Sequence, residues 1–316
     1  MRNTWIGKAA LQGAFSALPG GQRLNLLFQR HVTKSLPQPA AEFSLHVVEA
    51  CRHVRLYERH AERVADASFY EFGAGWDLIG PLTLASAGVS RQRLVDLRRN
   101  VRIDLVNHSK ARFNRQLEVL QSDTGMQLRA LDPGPCVSLE DLRRTLGIDY
   151  HAPRDARNTG FGAESVDCMT STFTLEHIPP RDIAAILVEG HRLLRPGGLL
   201  SCSIDMKDHY SYFDGSIGPY NFLRFSDEVW RLVNPSLHYQ NRLRRPDYLR
   251  LFEEAGFAPQ VVYEVTPTEP ELESLRGLPL GPRYAGMDEE DLGCKAMHVI
   301  AVKGDQPPMA KPGRPG

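Results

Sequence analysis

At 316 residues the chain is long enough for one large domain with a cap, or for two modest domains. Its 38 basic and 38 acidic residues cancel, which argues against a general nucleic-acid binder that needs a positive field. Five scattered cysteines (51, 136, 168, 202, 294) without a Cys-x-x-Cys indicate neither a zinc knuckle nor a disulfide framework, and with no apolar run near ~20 residues cytoplasmic residence is expected.

Residues 1 to 41 hold no Asp or Glu, yet contain Arg2, Lys8, Arg23, Arg30 and Lys34. Within them Trp5, Ile6, Ala9, Ala10, Phe15 and Leu18 recur at helix-face spacing. Such a basic amphipathic helix suits peripheral contact with an anionic membrane or a partner, or packing on its own domain. Pro19-Gly20-Gly21 stops it, the stretch Pro37 to Pro39 breaks a second helix, and 42 to 64 reads as a third. Residues 1 to 66 are thus expected to form a helical extension.

From 68 onward short apolar runs alternate with longer helical segments, the pattern of a parallel sheet with crossover helices. Strands are predicted near 68 to 72, 93 to 97, 147 to 151, 166 to 172, 198 to 205, 259 to 265 and 296 to 303. The segment 122 to 146, with a short helix at 139 to 145, is longer than an ordinary connection and reads as an insert. The tail 304 to 316, rich in proline and glycine, is expected to be disordered.

The first strand runs into Phe72-Gly73-Ala74-Gly75-Trp76-Asp77, and Asp96 closes the second apolar run 21 positions after Gly75. A Gly-x-Gly turn lets bare backbone approach a ligand, while a carboxylate ending the next strand can accept both hydroxyls of a ribose. The third glycine of a dinucleotide fingerprint would fall at Leu78, and Glu71 and Asp77 would repel a pyrophosphate. S-adenosylmethionine, with its ammonium and sulfonium, suits such an acidic loop.

At these residues the chain resembles the class I S-adenosylmethionine-dependent methyltransferases, over about residues 66 to 302. Glu71 to Gly75 resemble the family's Glu/Asp-x-Gly-x-Gly loop, Asp96 its ribose acid, and Asp155-Ala156 the pair that meets the adenine. Val166 to Ser171 with Leu175-Glu176-His177-Ile178 is similar to the fourth strand and its ending, and His191 to Gly198 to the following helix and turn. The departure is Asp77, where many members have a third glycine. The resemblance implies an α/β fold with a seven-stranded, mostly parallel Rossmann-like sheet ending antiparallel, helices on both faces, and a cofactor domain over 67 to 303. It also implies S-adenosylmethionine as cofactor, bound by Glu71, Gly73, Ala74, Gly75, Asp96, Asp155, Ala156 and Thr172. Quinone-type O-methyltransferases of this family hold a divalent metal with Glu-x-x-Glu-His; here Phe173 stands at the leading position, so no metal is expected.

Eight aromatic residues lie between Asp205 and Arg245 (Tyr210, Tyr212, Phe213, Tyr220, Phe222, Phe225, Trp230, Tyr239). Such a cluster suits a cap over a methyl-acceptor site, or a patch that packs the N-terminal helices. Arg242, Arg244 and Arg245 could hold an anionic acceptor or form a solvated basic face. Methyl transfer chiefly needs alignment and exclusion of water, but an alcohol acceptor needs a base. The candidates are His209, with Asp205 or Asp208 orienting it, and His177. The leading expectation is O-methylation of a small molecule or glycan; the alternatives are a nucleic-acid or protein methyltransferase and a non-catalytic scaffold. Against nucleic acid, the fourth strand ends in Thr172-Phe173-Thr174-Leu175, without the Asn/Asp-Pro-Pro-aromatic run of amino-directed enzymes.

Overall fold

The structure is a computed structural model that describes residues 4–61 and 63–304, so all but the first residue of the expected disordered tail lies outside the described residues. Three helices come first: α1 (Thr4–Ala17), α2 (Gly21–His31) and α3 (Ala40–His60). Gly21 lets α1 and α2 close into a hairpin, because a Cβ there would stand 1.7 Å from the Phe15 carbonyl oxygen. The helix α3 buries Phe43, Val47, Cys51 and Val54.

The sheet then begins with β1 (Ser68–Phe72), α4 (Ile79–Ser86) and β2 (Arg91–Val95). It continues through α5 (Ile103–Arg115), α6 (Leu117–Thr124), α7 (Leu139–Leu146), β3 (Ile148–His151) and β4 (Val166–Thr172). The second half contains α8 (Pro180–Leu193), β5 (Leu194–Asp205), α9 (Asp227–Val233), α10 (Arg245–Glu254) and β6 (Gln260–Val265). The chain closes with α11 (Glu269–Arg276), α12 (Glu289–Gly293) and β7 (Ala296–Val302). The strands pair in the order β3-β2-β1-β4-β5-β7-β6, parallel except where β7 runs antiparallel to both β5 and β6.

Successive side chains alternate between two cores. Tyr70, Phe72 and Met169 face a cluster with Ile183 and Ile186 of α8 and Phe252 of α10. On the other face Leu94 packs with Phe43 of α3, Leu82 of α4 and Phe113 of α5, and Phe69 packs with Val54 of α3. Residues 122 to 146 span the end of α6, a loop and α7, whose Ser138 and Asp141 form a capping box.

A polar seam joins α3 to the middle of the sheet. His53 Nδ1 lies 2.7 Å from Ser201 Oγ, which is 2.8 Å from His298 Nε2. His298 Nδ1 lies 2.8 Å from Ser203 Oγ, and Ser203 donates to Glu49. Burial pushes both imidazoles below their ordinary pKa, so the seam is held by neutral rings.

Candidate active site

Strand order reverses between β1 and β4, and the crevice beyond their carboxyl ends is where open α/β sheets bind ligands. Gly73 (φ +76°) follows β1; a Cβ there would come within 2.3 Å of Thr174 Cγ2, so only glycine fits. Gly75 (φ +80°) instead faces open space, leaving its backbone approachable. The third glycine missing from the sequence is replaced in conformation: Leu78 takes the left-handed φ of +54° at the start of α4 and is fully buried against Phe43, Ile79 and Leu82.

The residues expected to bind the cofactor are divided between two cavities that share Gly73, Thr174 and His177. The larger, about 720 Å³, takes Glu71, Gly73, Ala74, Gly75 and Thr172. The smaller, about 340 Å³, takes Asp96, Asp155 and Ala156. Asp96 accepts a hydrogen bond from Tyr150 Oη at 2.8 Å, while Asp155 is already bound to Arg157 through its side chain and backbone. The Thr172 hydroxyl lies 3.1 Å from His53 Nε2.

This part of the crevice fits a cationic ligand. Burial, with the nearby Asp96, pushes the Glu71 carboxyl up to about 8. Burial also raises Asp96 to about 7 and Asp77 to about 6, and Asp77 Oδ2 has no hydrogen-bond partner. Carboxyls raised by desolvation are stabilised in their charged form when a cation enters.

At the other end of the larger cavity, Asp205, Lys207, His209 and Tyr212 project from β5 and the loop after it. His209 Nε2 stands 3.5 Å from Asp205 Oδ2, and Tyr212 Oη donates to the same oxygen. Burial would raise the Asp205 carboxyl, but His209, Lys207 and Tyr212 outweigh it and hold it low. His177 lines both cavities and reaches solvent through them; its Nδ1 is 2.8 Å from the Tyr239 carbonyl oxygen, and desolvation by the surrounding protein depresses the ring to about 4. Its ring meets His209 edge-on at 4.9 Å between centroids.

Several expectations change here. Asp208 turns away from His209: fully buried, it accepts from the Tyr210 backbone and Asn221, which leaves Asp205 as the carboxylate beside the imidazole. Arg242, Arg244 and Arg245 form neither an anion site nor a solvated face. Arg242 binds the Phe222 and Phe225 carbonyls, Arg244 those of Met206, Leu292 and Cys294, and Arg245 binds Glu264, Glu290 and Asp291. Of the eight aromatic residues between Asp205 and Arg245, Tyr212 lines the larger cavity, whereas Tyr210, Tyr220, Phe222 and Trp230 pack with Trp5 of α1 and Tyr284.

Sequence reasoning missed two groups. One is the α3 wall, where Glu42, His46, Glu49 and Arg52 reach the larger cavity across a sequence gap that no local pattern bridges. The other is Glu176, buried with neither carboxyl oxygen hydrogen-bonded among the described residues and pushed toward its protonated form by burial and by Asp205. Atoms of Glu176, His177 and His209 able to bind a metal lie within 4.8 Å of one another, so the loss of the leading Glu at Phe173 does not remove every ligand set from this corner.

Residues 112–202 match a family model described as a methyltransferase domain, and the match ends inside β5 of a sheet with the strand order above. The likeness to a methyltransferase domain covers under a third of the chain. The acidic, glycine-turned loop described above fits a cationic cofactor such as S-adenosylmethionine. No curated protein sequence matches the chain. Among solved structures it is similar to the YcgJ protein of Bacillus subtilis (15% identity, 81% of this chain and 99% of that one, TM-score 0.43). It is also similar to phosphoethanolamine N-methyltransferase 2 of Haemonchus contortus (16%, 80% of this chain and 53% of that one, TM-score 0.44). A third is an S-adenosylmethionine-dependent methyltransferase of Mesorhizobium loti (16%, 78% and 96%, TM-score 0.40).

Proposed function

We propose that this chain is an S-adenosylmethionine-dependent methyltransferase that methylates a hydroxyl group of a small molecule or glycan, with His209 as the base and Asp205 as the carboxylate that orients it. The observation that carries this reading is the Asp205–His209 pair, 3.5 Å apart on the wall of the larger cavity. Asp205, held ionised, attracts Nε2–H and leaves Nδ1 as the basic nitrogen. In this assignment Asp96 accepts the ribose hydroxyls, Ala156 with the backbone of Asp155 meets the adenine, and Glu71 with the Gly73–Gly75 turn meets the amino-acid end. The bound cofactor supplies an electrophilic methyl group. The protein's own work is to align the acceptor oxygen, exclude water beneath α3 and the segment 205 to 245, and hold the departing proton on His209.

A cavity of about 720 Å³ suits a small molecule or a terminal sugar. The acceptor end carries two cations, Arg52 on Glu49 at 2.8 Å and Lys207 near Asp205 at 3.9 Å, both facing carboxylates, which favours a hydroxylated acceptor over a strongly anionic one. In the test, His209→Ala should lower turnover on a hydroxyl acceptor by about a hundredfold or more while S-adenosylhomocysteine binds as in the parent. Unchanged turnover would remove His209 from the mechanism and leave His177 as the next candidate.

A further inference from the structure

We infer that the α1–α2 hairpin is a docking surface for an anionic lipid bilayer. Ile6, Leu11, Leu18, Leu24, Leu27 and Val32 are 37 to 64% exposed, a concentration of large apolar side chains on one short hairpin. The accessible side of α1 is otherwise alanine and glycine, because Lys8, the sole charged residue of that helix, is drawn over the Phe213 ring at 4.8 Å. The inward side is already occupied: Trp5 and Ala9 belong to the aromatic core with Tyr210 and Trp230. The fold thus consumes one side of α1 and leaves the other apolar and uncovered. Single exposed leucines need no explanation, but a contiguous apolar face does.

Charge selects the occupant. Residues 1 to 41 carry five Lys or Arg and no acid, so the remaining 275 residues hold 33 basic against 38 acidic ones. Arg23 and Lys34 are exposed beside the apolar face, while Arg30 is engaged by Asp104 at 2.6 Å. An acid-free, cation-rimmed apolar helix face matches an interface of anionic headgroups over hydrocarbon. A second copy of the chain would set these cations against one another. The chain also passes from α2 directly into the rim of the larger cavity, where Ser35, Gln38, Pro39 and the exposed Leu45 lie, so the docked hairpin and the cavity mouth are continuous.

The inference is independent of the acceptor and is tested without turnover, by sedimenting the full chain with vesicles of phosphatidylcholine alone or with about 30% phosphatidylglycerol. Binding to the anionic vesicles should exceed binding to the neutral ones by about tenfold or more and fall at high salt. The variant Leu11→Glu/Leu18→Glu/Leu27→Glu and the variant Arg23→Glu/Lys34→Glu should each reduce it by about tenfold or more. Unchanged S-adenosylhomocysteine binding and melting temperature would show that both variants fold. No binding to anionic vesicles, or equal binding by the folded triple variant, would overturn the inference. So would a stable dimer in solution that the triple substitution dissociates.

Discussion

Two sets of side chains in the crevice, the carboxyls near β1 and β2 and the imidazoles near the β5 end of the larger cavity, respond to desolvation in opposite ways. At the β1 and β2 end three carboxyls, Glu71, Asp77 and Asp96, are pushed toward holding a proton. At the β5 end His177 is pushed toward losing one, and across the cavity His46 of α3 is likewise depressed to about 4. Desolvation favours the neutral form in both, so the difference lies in what each neutral form can receive. The carboxyl end becomes anionic when a cation arrives. The imidazole end stays neutral and can accept a proton from an acceptor or donate a lone pair to a metal.

The largest effect should come from turning the imidazole end to the wrong use. Saturating zinc, captured by Glu176, His177 and His209, should abolish turnover by withdrawing His209, and a chelator should restore it. Glu176→Gln should raise the inhibitory zinc concentration by about ten- to a hundredfold. Zinc-independent turnover would show that the three groups do not converge on an ion.

At the carboxyl end, Asp96→Ala should weaken S-adenosylmethionine binding by about ten- to a hundredfold, read by calorimetry, since charge-assisted hydrogen bonds contribute about 1.5 to 3 kcal/mol. Equal affinity in the folded variant would take the ribose away from Asp96.

Proton linkage separates the two ends next. Binding needs Glu71 ionised to meet the cation and Asp96 ionised to accept both ribose hydroxyls, and their values of about 8 and about 7 make affinity for S-adenosylmethionine rise with pH by about fiftyfold between pH 6 and 7, with proton release on binding. The ligand-free protein should show the opposite trend. Both folded-state values are raised, so their contribution to stability declines as pH climbs from the ordinary carboxyl range through 7 and 8. Melting temperatures with and without cofactor should therefore diverge as pH increases. A flat affinity profile would mean that Glu71 and Asp96 do not bind the cofactor in their ionised forms.

The smallest effect concerns the loop itself. Leu78→Gly relieves a left-handed leucine, worth about 1 kcal/mol, but empties a buried site, which costs about 2 to 5 kcal/mol. Net destabilisation of about 1 to 4 kcal/mol is expected in denaturant unfolding. A more stable variant would show that backbone strain outweighs packing there.

What the sequence made legible was what is local. β1 and β4 were readable to the residue because their apolar runs are bounded by turns. β2 was read two residues late, as 93 to 97 rather than Arg91–Val95, since it opens with polar residues; the buried Gln92 answers to the Pro81 carbonyl, a partner that periodicity does not reveal. β5 begins at Leu194, ahead of the predicted 198, because Arg195 to Gly197 are exposed and do not look like strand. The glycine turn and its acids were visible for the same local reason. The α3 wall, the hydroxyl of Tyr150 on Asp96, and Glu176 between two imidazoles depend on tertiary contacts that have no periodicity to betray them.

The polar seam between α3 and the sheet bears on how the chain is made. His53 and Glu49 leave the ribosome long before Ser201, Ser203 and especially His298 in β7. Until β7 inserts between β5 and β6, α3 has apolar surface to rest on but lacks its last polar partners. A nascent chain halted before β7 should hold α3 loosely and remain open to proteases there. The helix α3 can be locked only when β7 is in place.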